Sequence, residues 1–274
     1  LEGYELLRIE RHGRILVATI DNPPVNLLTM PLFGELARLS SELEADPDVL
    51  VFVLRSANAD FFIAHFDVEA ILRFPIDQAA AREGGNTYHA MCERFRTMNK
   101  LTIAQIEGRV GGGGSELAMS FDMRFGVRGK SIVNQMEVPI GILPGGSGTQ
   151  RLPRLIGRAR ALEVIVGGID LDAETGERWG YFNRVFAPGE IGPYVDGLAA
   201  RIASFPPDAV RLAKQAVDFA DRPLAEGLQE ESYLFQCLLR TEQAQRNMKK
   251  FLEAGGQTRE GELNVAELSA AVAK

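Results

Sequence analysis

Cysteine is nearly absent from this chain: 274 residues hold two, Cys92 and Cys237. They lie far apart and belong to no CxxC or Cys/His cluster. That excludes a disulfide scaffold and a cysteine-based structural metal, and it fits two buried thiols in a reducing, cytoplasmic setting. Long hydrophobic runs are also missing. No stretch reaches the roughly 18 consecutive apolar residues of a membrane span, and Leu1 to Glu10 carries charges where a signal peptide has its apolar centre. Basic excess is missing as well. A formal net charge of −7 excludes a general nucleic-acid or anionic-membrane surface. A small anionic ligand needs only a local cation or a helix N-terminus, so it stays open. What is present is ordinary for a folded protein: 46% hydrophobic and 24% charged residues predict a full core, in one large domain or two small ones.

Along the chain, Tyr4–Ile9 and Arg14–Ile20 are β-rich runs around His12-Gly13 and predict a hairpin, closed off by Asp21-Asn22-Pro23-Pro24. Leu32, Leu36, Leu39 and Leu43 fall at helical spacing, and Asp46-Pro47-Asp48 ends that helix. Leu50–Leu54 and Leu101–Ile106 have the length and continuity of buried strands. Between them lie a short helix within Phe62–Leu72, a polar stretch with Gly84-Gly85, and a helix near Tyr88–Met98. A short helix over Leu117–Phe121 and a strand over Met123–Val127 follow. This alternation predicts βαβ units and a largely parallel sheet. From Gly148 to Ala254 seven helices are expected, then a break at Gly255-Gly256 and an amphipathic segment, Glu260–Lys274. No internal repeat of fixed period appears.

The densest unusual cluster is Gly108-Arg109-Val110-Gly111-Gly112-Gly113-Gly114-Ser115-Glu116-Leu117. Glycines between a strand and a helix let backbone N–H groups approach a ligand without interference from Cβ. At a helix start those amides are unsatisfied and the dipole favours negative charge. The run therefore suits a phosphate or a developing oxyanion, or else it is a turn that lets a helix and a strand pack closely. Two nucleotide motifs fail. Glu116 and Leu117 occupy the places of a third GxGxxG glycine, and Arg124 stands where a P-loop ending at Gly129-Lys130-Ser131 needs glycine. A second signal is a pair of carboxylates: Glu116 at the helix start, and Glu137 21 residues later in Asn134-Gln135-Met136-Glu137-Val138-Pro139. Glu137 is either a surface loop residue or a buried group with a raised pKa. Glu116 is either a functional acid or a favourable helix-start charge.

Three segments together closely resemble the crotonase (enoyl-CoA hydratase/isomerase) family: Lys100–Gly108, the Gly-Gly-Gly-Ser-Glu-Leu-Ala run ending at Asp122, and Glu137-Val-Pro-Ile-Gly-Ile-Leu-Pro-Gly-Gly-Ser-Gly-Thr-Gln-Arg-Leu152. The likeness extends to Asn22-Pro23 and Asn26, to Arg55–Asp67, to Gly180–Val185 and to Met248–Glu253, nearly the whole chain up to Glu253. It implies an α/β fold, a spiral of ββα repeats over residues 1–200, with a helical trimerisation region at 201–254 and an extra amphipathic tail at 255–274. It implies a homotrimer or hexamer and an acyl-CoA thioester substrate, with no metal and no cofactor beyond the CoA of that substrate. It places Glu116 and Glu137 as the catalytic acids and bases, the amides of Ala64 and Gly113 as an oxyanion hole, and Gly145 as the amide that positions water. Val25, Leu27, His65, Phe66, Asp67 and Phe251 would contact the acyl-CoA, with Phe251 over its adenine.

Retention of both glutamates points within the family to an enoyl-CoA hydratase. An enoyl-CoA isomerase, a β-diketone C–C hydrolase and an inactive acyl-CoA-binding or RNA-binding member are the alternatives. Three departures stand out. His65 and Phe66 replace the usual Gly-Ala beside the first oxyanion amide, and His65 is expected to pack or face solvent. Met136 replaces the usual proline before Glu137, after a loop one residue longer than typical. Ala254-Gly255-Gly256 replaces a Lys-Arg pair that in the family reaches the CoA phosphates.

Overall fold

Successive strands of this chain alternate between two sheets, and that alternation builds the site. The computed structural model describes residues 2–77 and 86–273; the expected stretch around Gly84-Gly85 lies outside them. The hairpin forms from β1 (Leu7–His12) and β2 (Ile15–Ile20), antiparallel, with Leu7 opposite Ile20. Then α1 (Met30–Ala45) opens on Thr29, whose hydroxyl accepts from the Leu32 amide, and it buries the expected stripe of Leu32, Leu36, Leu39 and Leu43.

From here the chain repeats one move. Strand β3 (Val51–Ser56) joins the first sheet, β4 (Phe61–Ile63) the second, and α2 (Val68–Ile71) and α3 (Thr87–Thr97) return. Then β5 (Leu101–Ile106) enters the first sheet, β6 (Arg109–Gly111) the second, and α4 (Gly112–Ala118) follows. Next β7 (Met123–Val127) and β8 (Ile132–Asn134) do the same, followed by a 3₁₀ turn at Val138–Ile140, α5 (Gly148–Ile156) and α6 (Arg158–Gly167). The pairs β9 (Leu171–Asp172) with α7 (Ala173–Trp179), and β10 (Arg184–Phe186) with α8 (Ile191–Ala203), complete the sheets. The first sheet runs β1-β2-β3-β5-β7-β10 and the second β4-β6-β8-β9. This is the expected spiral of ββα turns.

In the second sheet β4, β6 and β8 are parallel neighbours, Phe61 opposite Arg109 and Gly111 opposite Asn134. Their carboxyl ends therefore lie side by side. Ile63, Gly111 and Asn134 release the chain into three adjacent segments, Ala64–Asp67, α4 and Gln135–Glu137, and ligand sites form where parallel strands end in this way. The core behind them is aromatic. Phe52, Phe95 and Phe121 are buried, with ring centroids 5.1 to 5.8 Å apart.

Two compact units result: residues up to Met98 together with Thr102–Asp196, and Asn99–Leu101 together with Gly197 onward. The second holds α9 (Pro207–Asp218), α10 (Leu224–Leu239), α11 (Glu242–Glu253), α12 (Arg259–Leu263) and α13 (Val265–Val272). Within it the Lys214 ammonium donates to the Lys100 carbonyl at 2.8 Å, and Arg201 donates to Ala266 and pairs with Glu267 at 3.4 Å. The Arg201 contacts dock the segment after Gly255-Gly256.

Three expectations change. The helix predicted over Leu117–Phe121 begins at Gly112 and ends at Ala118, because the glycines themselves form its first turn. Strands β6, β8, β9 and β10, of two or three residues, are too short to show a period of two. Of the thiols, Cys92 is buried but Cys237 only partly so, since α10 leaves one side open.

Candidate active site

The glycine run is a packing necessity before it is anything else. Helix α4 lies so close to the end of β4 that a Cβ on Gly114 would stand 2.6 Å from the Ile63 Cβ and 2.7 Å from its carbonyl oxygen. Gly112 takes φ +45°, and a Cβ there would come within 2.9 Å of a Glu137 carboxylate oxygen. Glycine costs about 1 kcal/mol per residue in a helix, and here close approach outweighs it. The approach brings the α4 amides against the Ala64–Asp67 segment and Glu137.

Asn26 sets that segment's position. It is buried in the left-handed region at φ 50°, where asparagine is tolerated. Its amide donates to the Ser56 hydroxyl (2.7 Å) and to the Phe61 and Phe62 carbonyls (3.2 Å each), and its oxygen accepts from the Asn22 amide (2.8 Å). Beyond β4, the Leu28 amide donates to the His65 carbonyl and the Asp67 amide to the Leu28 carbonyl. This parallel bridge pairs Leu28 with Phe66. In such a bridge the amide of the central residue points away from its partner strand. The Phe66 N–H is thereby turned toward Gly113, whose own Cβ position would lie 3.6 Å from the Phe66 nitrogen. Gly113 is the second residue of α4, so its amide is one of the free donors of the first turn.

Ala64 behaves differently. Its amide donates to the Val25 carbonyl at 3.3 Å, and it lines a separate cavity of about 340 Å³ with Val25, His65, Arg109 and Asn134. The expectation of an oxyanion amide at Ala64 does not fit this geometry; the amide facing Gly113 is that of Phe66, two residues on.

Both glutamates, Gly113, Gly145 and Phe66 line one cavity of about 360 Å³. Their environments differ. Glu116 is buried, and one of its oxygens accepts from the Gly146 amide at 2.8 Å and the Gly148 amide at 2.7 Å. Between these two donors Ser147 sits at φ 106°, its hydroxyl held by the Arg151 guanidinium at 2.8 Å. Burial raises the Glu116 pKa, against the pull of the Gly148 and Gly146 amides and Arg151. Glu137 is also buried, and one of its oxygens has no hydrogen-bond partner among the described residues. Burial first, and then the charge of Glu116, push its pKa to about 7, against the pull of its own backbone amide and of His65. Two carboxylates thus face one space, one held by two loop amides and the other with one oxygen left unpartnered among the described residues.

The remaining expected residues scatter. His65 and Val25 line the separate cavity, and the His65 Nδ1 donates to the Phe66 carbonyl at 2.8 Å. Leu27 is half-buried, its carbonyl accepting from Asn22 and Thr29. The Asp67 carboxylate caps α2, accepting from the Glu69 amide at 2.9 Å. Phe251 lies on α11, beside a cavity of the second unit with Met248 and Leu252. The Gly145 carbonyl accepts from His89 Nε2 at 2.8 Å.

Tyr88 and His89 are site residues the sequence did not announce. Asn86 caps α3 through bonds to both their amides (2.9 and 3.2 Å). From there the Tyr88 hydroxyl donates to the Gly113 carbonyl at 2.5 Å, while His89 holds Gly145. Burial raises the Tyr88 pKa far above the usual phenol range, so it remains a donor. Tyr88→Phe keeps the ring and removes the tether. We expect kcat to fall on the order of tenfold with KM little changed, and steady-state kinetics on wild type and Tyr88→Phe checks it.

A family model for enoyl-CoA hydratase/isomerase matches residues 10–260. A probable enoyl-CoA hydratase from Rhizobium meliloti is 35% identical over 254 residues, spanning 91% of this chain and 96% of the relative. A short-chain-enoyl-CoA hydratase from Clostridium acetobutylicum is 32% identical, spanning 89% and 94%. Among solved structures, DspI from Pseudomonas aeruginosa superimposes with a TM-score of 0.84 at 31% identity, over 92% of this chain and 96% of that one. The chain belongs to the enoyl-CoA hydratase/isomerase family of the crotonase superfamily.

Proposed function

We propose that the protein hydrates 2-enoyl thioesters of coenzyme A by syn addition of water. The observation that carries this reading is the pair of buried carboxylates with unlike surroundings, facing one cavity beside two convergent amides. Attack of water at Cβ moves an electron pair onto the thioester oxygen, and the Gly113 and Phe66 amides receive that charge without reorganising. Glu116 is the base that takes the proton from water. Two N–H donors on one of its oxygens leave the other to accept, and the Gly145 amide helps orient the water. Glu137 delivers a proton to Cα, a role suited to a carboxyl that stays protonated near neutrality. Steady loss of the conjugated-thioester absorbance on adding the protein tests the reading. Conversion of a 3-enoyl to a 2-enoyl thioester without hydration would replace it with an isomerase.

The raised Glu137 pKa also carries a stability consequence. An ordinary glutamate titrates near 4.5 and Glu137 near 7, so the native state holds the extra proton between these values. Its contribution to stability is greatest below about pH 4.5, declines as pH rises toward 7, and stays low above. Glu137→Gln, which cannot ionise, should raise Tm relative to wild type more at about pH 8 than at about pH 5. An equal shift at both pH values contradicts the assignment.

The second unit supports a homo-oligomer, with 201–254 as its trimerisation region. On α10, Leu224, Leu228 and Phe235 are exposed, more apolar surface than a solvated helix face normally shows. Phe251 would then cover the adenine of CoA. Light scattering should give the mass of a trimer or of twice that, and a monomer contradicts it.

A further inference from the structure

Beyond the two carboxylates the described walls of the catalytic cavity are mostly apolar, with Asn86, Thr87 and Tyr88 the polar exceptions. Phe66 is at the centre of a connected set of rings, its centroid 6.5 Å from those of Phe33 and Phe74 and 6.1 Å from that of Tyr88; Phe33 and Tyr88 are 5.8 Å apart. Met30 and Ile142 carry the apolar lining out to the surface, where they are 48% and 43% exposed. The volume, about 360 Å³, is more than twice the roughly 150 Å³ of an apolar cavity that holds benzene. A crotonyl thioester places one methyl group beyond Cβ. It leaves most of this space to water that finds few polar partners, or to gaps that forfeit dispersion contacts.

We infer that the acyl group taken by this site is large and apolar: a 2-enoyl thioester whose Cβ carries a five- or six-carbon apolar substituent, a pentyl chain or a phenyl ring. The inference rests on the proposed hydration of enoyl-CoA and names its substrate class. The walls recognise such a group by burying it. Edges and faces of four rings accept either a chain or a ring, and among the described residues no charged side chain other than the catalytic pair lines the cavity. Phe33, Phe74 and Met30 become the residues that determine acyl size.

Each buried methylene contributes about a fourfold gain in kcat/KM when its transfer from water is fully expressed in the transition state. From crotonyl-CoA to trans-2-octenoyl-CoA the expected rise is on the order of 100-fold. Cinnamoyl-CoA in the same series distinguishes the ring from the chain: a rate near that of octenoyl-CoA upholds the inference with β-aryl substrates included, and a rate near that of crotonyl-CoA upholds it for chains alone, provided the chain series rises. Met30→Trp, at an exposed helix start, adds bulk to the mouth and should lower the octenoyl-to-crotonyl ratio by about tenfold or more. Phe74→Ala, also at an exposed position, should move the preferred chain length upward. A flat or falling wild-type series overturns the inference while leaving hydration standing. Absence of turnover on every enoyl thioester overturns the hydratase reading instead. In that case calorimetry with octanoyl-CoA and butyryl-CoA, which cannot be hydrated, decides the acyl preference: tighter binding of the longer chain by on the order of 100-fold upholds it, and equal affinities overturn it.

Discussion

Replacing either carboxylate of the pair by its amide, Glu116→Gln or Glu137→Gln, is expected to lower kcat by about 10²- to 10⁴-fold with a smaller effect on KM. Glutamine keeps the shape and removes the proton chemistry. In Glu116→Gln the amides of Gly146 and Gly148, which now donate at 2.8 and 2.7 Å to a carboxylate, still find a carbonyl oxygen, so the loop holds. In Glu137→Gln the unpartnered oxygen site is filled by a neutral group of the same size. Because the two groups serve one addition, the double variant should cost far less than the product of the single effects. The pH profile adds an independent reading. With Glu137 near 7, wild-type kcat/KM should fall as pH rises through that value, since the acid is lost. The residual rate of Glu137→Gln should lack that limb. A single variant within tenfold of wild type, or a Glu137→Gln enzyme that keeps the alkaline limb, contradicts the assignment.

The second large effect belongs to a residue with no side chain. In Gly113→Ala the added methyl stands 3.1 Å from the Phe66 Cβ and 3.6 Å from the Phe66 nitrogen. It must push apart the two amides proposed to receive the oxyanion. Loss of one such donor costs about 10² to 10³ in kcat, and the expected fall for Gly113→Ala is about 100-fold. The neighbouring Gly114→Ala serves as contrast. Its methyl meets Ile63 backbone and side chain at 2.6 to 2.7 Å, so its penalty should appear in Tm first. Kinetics and thermal unfolding on the two variants separate the roles. A Gly113→Ala enzyme with wild-type kcat removes this amide from the chemistry.

Much of the architecture was legible because its signals are local. The leucine stripe of α1 and the apolar runs of β3 and β5 all act over a few residues. The glycine run was visible as a place where backbone meets something closely, yet its partner, Ile63, comes from another turn of the spiral. That is also why the start of α4 was misplaced: three glycines, Gly112 to Gly114, oppose a helix by propensity, and only packing against β4 winds them. The shift of the oxyanion reading from Ala64 to Phe66 has the same origin. Which amides along Ala64–Asp67 are spent and which are free depends on the bridge to Leu28 and the bond to Val25, neither of which leaves a mark in the segment itself. Tyr88 and His89 were silent because a hydroxyl and an imidazole on a helix look like ordinary surface and core residues until the loop at Gly145 is placed beside them. The carboxylate pair was visible as two residues, but their difference in proton affinity comes from donors at Gly146 and Gly148 that only the fold brings to Glu116.

The most direct test of the central claim is hydration of a trans-2-enoyl-CoA in deuterium oxide, with the product followed by NMR. The account predicts a 3-hydroxyacyl-CoA carrying one deuterium at Cα, on the same face as the new hydroxyl, because Glu116 and Glu137 face one cavity and act from one side of the substrate. A 3-hydroxy product with deuterium on the opposite face, or an enoyl thioester recovered without added water, would contradict it.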